Sequence, residues 1–134
     1  MDNLQNLIPK DKFDLSTIDA ITALSDSEID EIYPILLTWL QDMNWPVSEP
    51  MAGVLASRKC VAEKHILKIL PAEQNDDIWK YNIITYLLSK WPELPSDPRI
   101  VDEIKRIALR PTDGERDECV ADAAEKYLTQ FNLL

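Results

Sequence analysis

The stretch Trp39-Leu40-Gln41-Asp42-Met43-Asn44-Trp45-Pro46 holds two indoles, a carboxylate, an amide and a rigid Trp-Pro bond. A second run, Asp76-Asp77-Ile78-Trp79-Lys80-Tyr81, repeats the acidic and aromatic mixture. Tryptophan is the residue that most often anchors a protein interface. The candidate partner-binding residues are therefore Asp42, Asn44, Trp45, Asp76, Asp77, Trp79 and Tyr81. If both runs lie on one rim of the fold, they form a single acidic, aromatic patch.

The first run has two readings. Asp42 falls at the end of a predicted helix, where a carboxylate meets the negative pole of the dipole at a cost of about 0.3–1 kcal/mol. In the architectural reading, Asp42 accepts from the backbone N–H of Asn44 or Trp45, or from an indole N–H. Asn44 then ends the helix and Pro46 prevents its continuation. An aromatic residue before proline also raises the chance of a cis bond. In the functional reading, Asp42, Asn44 and Trp45 face a partner.

Other chemistry finds little support. Gly53 and Gly114 are the only glycines, so Gly-rich phosphate loops are excluded. His65 is the single histidine. Cys60 lies five residues before it, about 140° out of register on a helix, so the two make neither a metal pair nor a nucleophile pair. Neither a metal nor a cofactor is expected, and no catalytic residue is assigned. A lone helical histidine reads as a partly exposed surface or packing residue. The carboxylate clusters Asp26–Glu31, Asp76–Asp77 and Asp113–Glu118 fall mostly in first turns of helices, where the dipole explains them. Lys59, Lys64 and Lys68, and Lys105, Arg106 and Arg110, are scattered and form no phosphate track.

These residues need helices to hold them. Ile29, Ile32, Tyr33, Leu36, Leu37 and Leu40 follow helical spacing, as do Val120, Ala123, Ala124, Tyr127, Leu128 and Phe131. The segment from Ile78 to Trp91 is apolar nearly all round and belongs in the middle of a stack. Ser25 with Glu28, and Thr112 with Glu115, make capping boxes. Asn75 is the expected cap of another helix, Ser48-Glu49-Pro50 opens one, and Asp97-Pro98 opens a further one. The pattern predicts seven helices, roughly 15–24, 26–43, 48–57, 60–70, 76–90, 98–109 and 114–131, with a kink at Pro34. Residues 1–14 are expected to form an extended arm anchored by Leu7, Ile8 and Phe13.

The fold class is all-α, a single helical domain over residues 1–134. Its helices are expected in antiparallel pairs, as a short HEAT-like solenoid or an irregular bundle. Met51-x-x-Val54-Leu55 and Val120-x-x-Ala123-Ala124 share only an apolar rhythm, so internal repetition is weak. The order of the two aromatic runs, with Leu7-Ile8-Pro9-Lys10-Asp11 and Pro111-Thr112-x-Gly114-Glu115, resembles a bacterial family catalogued as domain of unknown function 5071. The resemblance spans nearly the whole chain and implies a compact, HEAT-like helical domain. It brings no established activity.

The formal net charge is −10, which opposes nucleic acid phosphates and anionic lipid and favours a basic protein partner. Two separated cysteines and the lack of a basic-then-apolar N-terminal segment point to the cytoplasm. The expected function is a non-enzymatic protein-interaction domain, an acidic immunity-type partner of a basic bacterial toxin. The alternative is a small-ligand binder or enzyme using a cleft around Asp42, Asn44, Asp77 and Tyr81.

Overall fold

The computed structural model describes residues 4–134. Eight α-helices follow one another among the described residues: α1 (Ile18–Thr22), α2 (Asp26–Leu37), α3 (Ser48–Ala56), α4 (Lys59–Ile66), α5 (Asp77–Tyr86), α6 (Pro98–Leu109), α7 (Asp113–Asp117) and α8 (Val120–Gln130). Short 3-10 turns cover Leu4–Leu7, Thr38–Gln41 and Leu88–Lys90, and no strand occurs among the described residues.

Side-chain capping sets four of these starts. Ser25 and Glu28 exchange backbone and side-chain bonds at α2, of 3.2 and 2.9 Å. Thr112 and Glu115 do the same at α7, at 3.1 and 2.8 Å. Asp97 caps α6 by accepting from Arg99 N at 3.0 Å, with Pro98 in the first turn. The cap of α5 is Asp76, not Asn75: its carboxylate accepts from Trp79 N at 3.0 Å.

Several elements differ from the periodic reading, and α4 and α5 stop at Ile66 and Tyr86, short of the predicted 70 and 90. α2 runs unbroken through Pro34 but tightens at Thr38 into a 3-10 turn that ends at Gln41. The predicted last helix is two helices, because Cys119 adopts a left-handed conformation with φ 63°. A non-glycine residue there carries strain that surrounding contacts must hold. The N-terminal stretch folds into a 3-10 turn over Leu4–Leu7 instead of extending, and residues 1–3 of the expected arm lie outside the described residues. Leu7 and Ile8 pack on the core, whereas Phe13 is 67% exposed and anchors nothing.

The predicted stripe of α2 and its 3-10 extension is fully inside: Ile29, Ile32, Tyr33, Leu36, Leu37 and Leu40 are each at most 1% exposed. Burial of such a side chain contributes about 1.5–3 kcal/mol. Ile83 and Ile84 of α5, Ile100, Ile104 and Ile107 of α6, and Val120, Ala124 and Leu128 of α8 complete the same core. α4 lies alongside α2 in the same direction, since Arg58 meets Asp26 and His65 meets Asp30.

A helix end leaves carbonyls without partners. Here side chains distant in the chain supply the donors. Arg58 donates to Thr22 O at the end of α1 and to Leu24 O just beyond it. Trp79 Nε1 donates to Leu37 O at 3.0 Å and Asn82 Nδ2 to Leu40 O at 2.7 Å, closing α2. Tyr33 and Trp91 donate to Leu55 O and Ala56 O at the end of α3, and Arg106 donates to Leu70 O beyond α4.

Candidate functional site

The corner at Asp42 is built from local bonds. Asp42 closes the 3-10 turn as its C-terminal cap residue, with extended backbone (φ −144°, ψ 107°). Its Oδ1 accepts from Asn44 N at 2.9 Å, and its carbonyl accepts from Trp45 N at 3.3 Å. The Ser48 hydroxyl sits between Trp39 O (2.5 Å) and Asp42 O (2.7 Å) and ties α3 to the corner. Trp39 and Trp45 meet edge to face, with ring centres 5.7 Å apart. No cis peptide occurs among the described residues, so Trp45–Pro46 is trans. Val47 N donates to Lys12 O, which holds the N-terminal segment against this turn.

The corner also forms one wall of a depression of about 400 Å³, lined by Asp42, Met43, Asn44, Ile78, Tyr81, Asn82, Glu118 and Cys119. A neighbouring depression of about 350 Å³ runs between α5 and α8. It shares Tyr81 and Cys119 with the first and continues along Thr85, Ser89, Asp122, Lys126 and Tyr127. Across both, the carboxylates are Asp42, Glu118 and Asp122, and the one cation among the described lining residues is Lys126. Burial pushes the Tyr127 hydroxyl up to about 12, with the Glu63 and Glu93 charges adding to the effect, so it stays neutral.

Of the predicted site residues, Asp42, Asn44 and Tyr81 come together on this face. Trp45 is turned onto Trp39. Asp76 is occupied as the cap of α5. Trp79 points its indole N–H at Leu37 O and lines a separate depression of about 200 Å³ with Pro34, His65, Lys68 and Gln74. Successive residues on a helix turn by about 100°, which is why Trp79 and Tyr81 part company. The sequence reading missed Ile78, Asn82, Glu118, Cys119, Asp122 and Lys126. Ile78 and Asn82 share the Tyr81 side of α5 by i, i+4 spacing, a signal present in the sequence. Nothing in the sequence marked Cys119.

Asp77 belongs to a different arrangement. Its Oδ1 lies 3.6 Å from Lys80 Nζ, and its Oδ2 crowds Gly114, where an added Cβ would come within 2.1 Å. Gly114 thus permits a close approach and is not at a turn. Lys80 Nζ reaches Glu115 Oε2 at 2.8 Å, and both side chains are completely buried. Arg106 grips the same carboxylate with two nitrogens, at 2.9 and 2.8 Å. Burial pushes the Glu115 carboxyl up, but the bonds from Arg106, Lys80 and Thr112 outweigh it and hold it at about 2. Glu115 in turn raises Arg106, against the opposing effect of burial. The cluster binds α5, α6 and α7 together and sets where Glu118 and Cys119 emerge onto the face.

His65 is a packing residue: it is 7% exposed and stacks on Tyr33 at 5.1 Å. Its Nε2 lies 2.7 Å from Asp30 Oδ1, and Lys64 joins the same carboxylate. The Lys64 hydrogen bond, then that of His65, holds the Asp30 carboxyl below its usual range. Cys60 instead lies 3.4 Å from Asp26. No group of three or more metal-ligating side chains assembles among the described residues. No helix of the described residues is long and apolar enough to cross a membrane.

These features define a small all-α domain with one acidic, partly apolar face. The chain belongs to the family described as domain of unknown function 5071, whose model matches residues 7–128. No curated protein matches it.

Proposed function

We propose that this chain is a non-enzymatic protein-interaction domain that docks a basic protein on the α5–α8 face. The observation that carries the reading is the pair of adjoining depressions, where Asp42, Glu118 and Asp122 outnumber the single Lys126 around Ile78, Tyr81 and Tyr127. Apolar area supplies affinity, and the carboxylates steer a cationic partner and reject an anionic one. The net charge of −10 extends the same field over the surface. An immunity-type role against a basic toxin fits this chemistry. We place the protein in the cytoplasm, where its two free, exposed thiols suit a reducing setting.

Affinity capture from the source cell tests the reading. The expected result is one identified basic protein retained by the native chain and by Glu31→Lys on α2. It should be lost with Tyr81→Ala and with Asp122→Lys, the latter making the same change in charge as Glu31→Lys. Equal retention by all four chains would remove this face as the docking site.

A further inference from the structure

The depression at the corner has a narrower chemistry than the face as a whole. Its charged groups, Asp42 and Glu118, are both acceptors, while Asn44, Tyr81 and Cys119 can donate as well as accept. Asp42 uses Oδ1 for Asn44 N, and Oδ2 has no hydrogen-bond partner among the described residues. Glu118 is exposed and lines the depression with no ion pair among them. Asn82 is only 5% exposed, yet it lines the same space. Its amide orientation is fixed chemically: a carbonyl can only accept, so the nitrogen must face Leu40 O. That leaves Oδ1 as an acceptor with no protein donor among the described residues. Met43 and Ile78 supply apolar wall, and Tyr81 adds aromatic surface. No cation among the described residues lines this depression.

We propose that this depression is a subsite for one arginine or lysine side chain of the docked protein, received between Asp42, Glu118 and the Asn82 carbonyl against the Tyr81 ring. An aliphatic stem packs on Met43 and Ile78 while the cationic head meets three acceptors. The aromatic ring adds attraction for the head. Charge complementarity selects this occupant: a carboxylate would meet two carboxylates, and a purely apolar residue would leave the acceptors without donors. The proposal rests on the docking function above and names the partner's chemistry.

Amide NMR of the whole chain provides the test. The probes are acetyl-Gly-Arg-Gly-amide, the same tripeptide with norleucine in place of arginine, and spermidine. The arginine probe is expected to give saturable shifts at the Asn44 and Cys119 amides and at the Asn82 side-chain amide. Asp42→Asn with Glu118→Gln should weaken it by roughly tenfold, as the loss of two charge-assisted contacts requires. The Asp42→Asn change keeps a side-chain oxygen for Asn44 N, and Glu118→Gln alone serves as a second variant on an exposed position. Equal shifts from norleucine, indifference to both variants, or shifts scattered over the acidic surface would overturn the subsite. Saturation by spermidine with the arginine probe silent would overturn the assignment to a protein side chain.

Maleimide labelling separates this from the docking function itself. The captured partner should protect Cys119 and leave Cys60 reactive. Protection without an arginine response removes the subsite and keeps the docking face. An arginine response without protection removes the partner's side chain as occupant.

Discussion

Lys80 Nζ lies 2.8 Å from Glu115 Oε2, and neither side chain has any exposed surface. The two residues come from separate runs of the sequence, on α5 and α7, and Arg106 of α6 completes the contact. Breaking one partner of such a pair strands a buried charge, at a cost of about 3–5 kcal/mol. Glu115→Gln should therefore lower stability by that order, read as a shift of the urea midpoint at unchanged slope. Replacing Lys80 by Met in the same chain should recover part of the loss. A Glu115→Gln protein as stable as the native one would show that the pair contributes no net stability.

The same carboxylate predicts an acid response. Glu115 ordinarily titrates near 4.5 and is held at about 2 in the fold. A depressed pKa contributes stability above the unfolded value that is lost as pH falls through the folded one. Stability should be level above about pH 5 and decline from there toward pH 2. Glu63, pushed up by burial but lowered on balance by the Ser96 and Asp97 amides, adds in the same direction. Thermal unfolding between pH 7 and pH 3 measures this, and Glu115→Gln should flatten the decline.

Gly114 gives a test of close approach. Alanine normally stabilises a helix by about 1 kcal/mol relative to glycine. Here its Cβ would fall 2.1 Å from Asp77 Oδ2, so the carboxylate must move away from Lys80. Gly114→Ala should destabilise by about 1–2 kcal/mol, the usual cost of overpacking. In an Asp77→Ala background the same change should become neutral or stabilising. A double-mutant cycle by urea unfolding gives the coupling directly.

The aromatic residues should divide by role. Trp79→Phe removes the donor to Leu37 O and should cost about 1–3 kcal/mol through the carbonyl left without it. Trp45→Ala opens the contact with Trp39 and should cost a similar amount or more. Tyr81→Ala, half-buried on the open face, should lose less stability than either while losing the partner. If Tyr81→Ala unfolds the domain first, the ring is part of the architecture and not of the binding face.

Much of the helical framework was legible in the sequence. The capping boxes at Ser25 and Thr112, the apolar stripe of α2 and the span of α6 all depend on residues three or four apart. Such interactions are written locally, so periodicity finds them. The Asp42 turn was also foreseen as one of two readings, because its acceptor reaches only to Asn44.

The sequence by itself determined an all-helical chain, most of its helix positions, its acidic charge and the two aromatic runs. Only the tertiary structure decided what those runs do. It buried Lys80 against a carboxylate 35 residues away, and it took Trp79 to a carbonyl 42 residues away. It broke the last helix at Cys119, where no glycine or asparagine announced a left-handed residue. It then placed Glu118 and Cys119 beside Asp42 and Tyr81. The physical reason is that a side chain's partner across the core depends on how whole helices pack. That choice is made by the sum of their buried surfaces and not by any spacing along the chain.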